Sequence, residues 1–328
     1  MATGGSVRPV LRTARMVLTA AVLAALGVAL ARRWDEVRPL LDQVSPAAAV
    51  GAFGYCLLGL VASMLAWRAL LGDLGSPLPV RAATRVLFLG QLAKYLPGSS
   101  IWAVLAQTEL AHDYGVPRKR AASAGIVLNL VTLGVGLLVA LLALPELLSD
   151  GAPRWLHWSP LLVPLGLACL TPPVLTWLCN LVFRVLRRPP LDVTFSWTGV
   201  GIAVLSLLGT WLAYGLQITL LGWSLGADPG GLLLPATGAF AAAWCAGFLV
   251  VVVPTGAGTR EAVLTLALAS LLPGGTAAAL TIAVLSRLLL TLADVAAALI
   301  GVLLGRGVRH APEPAADADE PGQATRSG

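Results

Sequence analysis

The residues of this chain that could do chemistry gather at two breaks in apolar sequence and inside one long apolar run. The sharpest group is Pro254-Thr255-Gly256-Ala257-Gly258-Thr259-Arg260-Glu261. Small residues precede Thr259, a good N-cap, and a helical pattern starts there. The first N–H groups of a helix lack helical partners and carry the positive end of its dipole, so this end attracts an anion. Arg260 adds a full positive charge and a fork that matches phosphate. Glu261 suits the dipole in the first turn, and it is placed to pair with Arg260, Arg287 or a cationic part of a ligand. A plain capped turn accounts for the same residues. No nucleotide-binding G-x-x-x-x-G-K-[ST] is present.

The earlier break carries Gln91, Lys94, Tyr95, Pro97 and Gly98. Lys94 stands beside it as Arg260 stands beside the later one, but before the break rather than after. A lysine there either snorkels to an interface or pairs with Glu109 on the return arm. The last apolar run holds Arg287 and Asp294, seven residues apart and so on one helix face, with Thr291 between them. An ionisable group at the centre of a spanning helix costs roughly 2.5–3.5 kcal/mol on the insertion scale. Such groups either form an internal pair that fixes packing or hold a ligand in a cavity. Arg287 is read here as holding an anionic group, because Asp294 is far from it along the helix.

Weaker polar stripes run through Gly125-Asn129-Thr132-Gly136 and Thr210-Tyr214-Gln217, and hydrogen bonding between helices accounts for them. Gly222-x-x-x-Gly226 and Gly301-x-x-x-Gly305 suit close helix contact. His112, His157 and His310 are scattered, and no C-x-x-C pair exists. No metal site, catalytic residue or cofactor is therefore assigned. Cys56, Cys169, Cys179 and Cys245 lie in apolar stretches and read as small hydrophobes.

The elements that must position these residues are membrane helices. Of 328 residues, 57% are hydrophobic and only 12% charged, and the mean hydropathy is +0.84. A soluble domain carries about 25% charged residues, so the composition excludes soluble domains and gives an all-α integral membrane protein. Spans of about 20 apolar residues fall near 16–31, 46–71, 120–148, 158–183, 196–225 and 276–304. The first follows Arg8, Arg12 and Arg15, and Ala29-Leu30-Ala31 also fits a signal-peptide cleavage site. Pro172-Pro173 should kink or break the fourth.

Residues 82–112 and 232–272 are broken at Pro97-Gly98 and at 254–258, and at least one arm of each is short for a crossing. Both are read as re-entrant helical hairpins. Irregular backbone at membrane depth is tolerated only where protein or a wet cavity covers it, so a cavity is expected at their tips. The pattern of span, span, hairpin, span then repeats upside down, over 16–148 and 158–304, within one membrane domain of residues 1–305. Ten ordinary spans are the alternative.

The net charge of +6, from 22 Lys+Arg against 16 Asp+Glu, reads as loop asymmetry rather than a nucleic-acid footprint. It places both termini in the cytoplasm. The Pro-, Ala- and acid-rich tail 306–328 is expected to be disordered.

At these residues the sequence resembles the lysylphosphatidylglycerol synthase transmembrane-region family, also called the flippase-like domain. The likeness covers roughly residues 15–305. It rests on Gly90-Gln91 followed by Tyr95-Leu96-Pro97-Gly98, on Pro254, Gly256, Gly258, Arg260 and Glu261, and on Arg287. The resemblance implies a multi-pass protein of the bacterial plasma membrane. Such a protein moves an anionic-headgroup lipid, aminoacylated phosphatidylglycerol in the best-known members, between leaflets, against cationic antimicrobial peptides. Those members carry a soluble aminoacyl-transferase domain after the membrane region, where this sequence has a short acidic tail. A separately encoded lipid-modifying enzyme is thus an expected partner. Relatives of this topology are also linked to polyprenyl-linked sugars. The alternative reading is therefore a subunit or enzyme of polyprenyl-phosphate-linked glycan and cell-envelope assembly. The oligomeric state and energy source are left open.

Overall fold

A computed structural model of the chain describes residues 38–39, 42–95, 99–148, 154–185, 187, 190, 194–249 and 258–305. The expected first span, its alternative as a signal peptide, Pro97, Gly98, Pro254, Gly256 and the tail lie outside these residues.

The described chain is helical throughout, with no strand among the described residues. Helix α1 is Pro46–Asp73, α2 is Val80–Gln91, and a 3-10 turn, Leu92–Tyr95, extends α2 to the first break. Helices α3 (Ser99–His112) and α4 (Arg118–Leu147) follow. A 3-10 segment, Arg154–Leu162, leads into α5 (Val163–Cys169) and α6 (Pro172–Val185). The remainder is α7 (Trp197–Ser224), α8 (Pro229–Leu249), α9 (Thr259–Leu268) and α10 (Gly275–Gly305).

Among the described residues five helices, α1, α4, α7, α8 and α10, are long and apolar enough to cross a membrane. The segment from Leu156 through α6 makes a sixth candidate, bent by 70° between Cys169 and Pro172. That bend falls where Pro172-Pro173 was expected to break the helix: a proline removes an amide donor and disfavours helical backbone in the residue before it. This is an all-α integral membrane fold. In the second interrupted region the short arm is α9, with 10 residues, while α8 has 21. In the first, α2 has 12 residues and α3 has 14. At about 1.5 Å per residue neither arm reaches the roughly 30 Å of a hydrocarbon core. The arms of each pair pack against one another, α2 on α3 and α8 on α9.

Local chemistry starts the long helices. Ser45 accepts from the Ala48 amide at 3.1 Å, with Pro46 in the first turn of α1. Ser196 accepts from the Gly199 amide at 3.0 Å at the start of α7. Asp73, the last residue of α1, accepts from both the amide and the hydroxyl of Ser196, at 2.6 and 2.5 Å, and so ties the two ends together. Helices α1 and α7 then run along each other, where Thr210 donates to the Gly59 carbonyl at 3.2 Å. Trp67, Trp211 and Phe240 are among the largest fully buried side chains of the core. Leu205, Leu266, Leu292 and Leu299 point outward from α7, α9 and α10, as expected where lipid replaces water. Helix α10 packs against α1, α2 and α9, so it touches both interrupted regions. Gly301 and Gly305 face Thr84 and Arg85 of α2, which explains the close approach there.

The polar stripe of α4 departs from expectation. Asn129 donates to the Gly125 carbonyl at 2.8 Å, and Thr132 to Leu128 at 2.6 Å. Both bonds close on α4 itself rather than between helices. The stripe of α7 does reach across: Ser286 of α10 donates to the Gln217 side-chain Oε1 at 3.1 Å.

Candidate functional site

The side chains singled out in the sequence converge on one face of α10. Asp294, only 5% exposed, accepts from the Lys94 ammonium at 2.8 and 2.7 Å on its two oxygens. The Tyr95 hydroxyl donates to the same carboxylate at 2.6 Å. Two turns earlier on α10, the Arg287 guanidinium donates to Glu261 Oε1 at 2.5 Å. The other oxygen of Glu261 accepts from the Gly258 amide at 2.6 Å. Each interrupted segment is thus fastened to α10 by an ion pair, with opposite polarity: a cation from the first, a carboxylate from the second.

The start of α9 differs in detail from the sequence reading. Gly258 occupies the cap position and Thr259 is already helical. Gly258 has φ 82°, a left-handed backbone that glycine adopts without strain. It has no side chain to cap with, so Glu261 reaches back to its amide, as in the reciprocal half of a capping box. The pairing of Lys94 with Glu109 is also corrected. Glu109 takes a two-pronged bond from Arg118, at 3.0 and 2.9 Å, on the exposed end of α3. That hydrogen bond, with the guanidinium charge behind it, holds the Glu109 carboxyl below its ordinary range. Lys94 turns inward because Asp294 would otherwise be a buried, unpaired charge.

Between the two ion pairs lies a cavity of about 130 Å³. A single water needs roughly 10–15 Å³ on this measure, so there is room for a tetrahedral oxyanion. Its polar side is Lys94, Tyr95, Arg260, Arg287, Thr291 and Asp294. The rest of its lining includes Tyr214 of α7 and Phe240, Trp244 and Phe248 of α8, with Leu60 of α1. Arg260 enters from α9 and lays its guanidinium 4.5 Å from the centre of the Phe240 ring, a cation–π contact. Its Nη2 is shut off from solvent and has no hydrogen-bond partner. Three cations therefore line the cavity, while the carboxylates beside it, Asp294 and Glu261, are taken up by Lys94 and Arg287. Arg260 supplies the excess positive charge.

The aromatic wall was not singled out in the sequence reading. Phe240, Trp244 and Phe248 recur every four residues and so share one helix face. That spacing is the signal for them, though a buried packing stripe looks the same. Of the expected site residues, Lys94, Tyr95, Gly258, Arg260, Glu261, Arg287 and Asp294 come together here. Pro97, Gly98, Pro254 and Gly256 belong to the breaks outside the described residues. Among the described residues no group of His, Cys, Asp and Glu side chains is arranged to hold a metal ion.

The profile of the family described as Lysylphosphatidylglycerol synthase TM region matches residues 16–298, most of the chain. The chain belongs to this family, as the resemblance implied. Comparison with curated proteins gives no match. Membership agrees with the multi-pass helical architecture and ties the protein to membrane lipids.

Proposed function

We propose that this protein is a flippase-like transporter that moves a lipid with an anionic headgroup between the leaflets of the bacterial plasma membrane, rather than an enzyme. The observation that carries this reading is Arg260. Arg260 lines a cavity inside an apolar helix bundle and keeps one guanidinium nitrogen without a hydrogen-bond partner, an arrangement that is costly unless an anion visits the site. A phosphate offers the acceptor that Arg260 lacks, and Arg287 and Lys94 stand on the same cavity wall. Lipid membership of the family and the membrane helices support the same substrate class.

In this reading the headgroup passes through the cavity while its chains stay in the bilayer. The Lys94–Asp294 and Arg287–Glu261 pairs fasten the two hairpins to α10, and they open in turn as the two halves of the inverted repeat rock. Charge is exchanged between carboxylate and phosphate rather than exposed to hydrocarbon. The test is leaflet transfer of a labelled phosphatidylglycerol in vesicles reconstituted with the purified chain. Arg260→Glu or Arg287→Glu, at normal protein levels, should abolish transfer above the protein-free background. Transfer unchanged in both variants discards the site.

A further inference from the structure

We infer that the cavity selects its lipid by charge, taking a headgroup with one phosphodiester negative charge and an otherwise uncharged remainder, and rejecting headgroups that also carry an ammonium. This rests on the transport reading above and narrows its substrate. The ionised groups around the cavity leave one positive charge after pairing, and it belongs to Arg260. In a site set among apolar helices, net charge is expensive, so the best occupant is the one that brings the total to zero. A phosphodiester does so. A phosphomonoester or diphosphate overshoots and leaves buried negative charge.

An ammonium on the headgroup fares worse. Both carboxylates already accept short bonds, Asp294 from Lys94 and Tyr95, and Glu261 from Arg287 and the Gly258 amide. Of the aromatic faces, Arg260 already covers Phe240, and Trp244 and Phe248 cover one face of each other, with centroids 5.1 Å apart and planes 16° from parallel. An incoming ammonium would meet Arg260 itself, a like charge. The remainder of the headgroup therefore rests against Trp244 and Tyr214 as a neutral, hydroxyl-bearing group.

The purified chain in mild detergent tests this by competition against a labelled short-chain phosphatidylglycerol. Unlabelled short-chain phosphatidylglycerol should compete at least about ten-fold better, or 1.4 kcal/mol, than phosphatidylethanolamine, lysyl-phosphatidylglycerol or phosphatidic acid. Asp294→Asn adds one positive charge to the cavity, so phosphatidic acid should gain at least about ten-fold relative to phosphatidylglycerol. Should that variant not fold, Glu261→Gln makes the same change in count. Glycerophosphoglycerol, the headgroup without chains, separates a lipid from a soluble phosphodiester. If it competes as well as the lipid, the charge rule stands but the lipid reading fails. Equal competition by lysyl-phosphatidylglycerol or phosphatidylethanolamine overturns the charge rule and leaves the transport reading intact. Absence of any phosphatidylglycerol binding overturns both.

Discussion

Arg287 and Asp294 share one face of α10, two turns apart, yet neither is the other's partner: Arg287 bonds Glu261 at 2.5 Å and Asp294 bonds Lys94 at 2.7 Å. One helix thereby holds both interrupted segments, each by a half-buried ion pair. Breaking such a pair from one side leaves a stranded charge, whereas replacing both sides with apolar groups does not. That asymmetry makes the arrangement testable.

Lys94→Ala should lower stability by about 3–5 kcal/mol, because Asp294 is left buried with only the Tyr95 hydroxyl. Lys94→Met combined with Asp294→Leu should recover most of that loss in thermal unfolding of the detergent-solubilised protein. The same double variant should not support lipid transfer. A single variant as stable as the parent would show that the pair is not buried as described.

Glu261 and Arg287 should be energetically coupled. Glu261→Gln and Arg287→Met each remove one side, and a double-mutant cycle on unfolding should give a coupling of about 1–3 kcal/mol. A value near zero would mean that the Gly258 amide bond, not the ion pair, is what holds Glu261.

Gly59 of α1 lies against the ring that forms part of the cavity wall. A Cβ there would sit 2.4 Å from Tyr214 Cε1. Gly59→Ala should cost about 1–3 kcal/mol through overpacking and displace the Tyr214 ring. The bundle should stay helical by circular dichroism while anionic-lipid binding weakens. Binding at the parent level would place Tyr214 outside the occupied part of the cavity.

The Glu109–Arg118 pair sets a pH and salt signature at the exposed end of α3. The folded-state carboxyl is shifted below its ordinary value of 4.5. Its contribution is therefore present above that value and disappears as pH falls through the lower, folded-state value. The side chains are 63% and 54% exposed, so screening keeps the effect small. Glu109→Gln should differ slightly from the parent at neutral pH and low salt. The difference should vanish in acid, and at 1 M salt, where the Debye length is about 3 Å. A difference that persists in acid would assign it to packing rather than to charge.

Most of the fold was legible in the sequence. The long helices begin and end within two residues of the expected spans at 46–71, 120–148, 196–225 and 276–304, because a run of apolar side chains is the same signal whether it is read along the chain or in space. Pro172-Pro173 was likewise sufficient to place the 70° bend. The candidate site was legible as residue types, since an arginine or aspartate in apolar sequence is conspicuous wherever it packs.

Partnership was not legible. Lys94 and Asp294 are 200 positions apart, and nothing in the spacing distinguished Asp294 from Glu109 as the acceptor. The aromatic wall was hidden for a similar reason: Phe240, Trp244 and Phe248 look the same along the chain whether they face a cavity or another helix. Sequence by itself determined that charges lie in a membrane bundle beside two broken helices. Only the tertiary structure decided that two of the three cations are already matched and that Arg260 is left over. Electrostatic compensation depends on separation through space, and that separation is set by how the interrupted segments pack against α10.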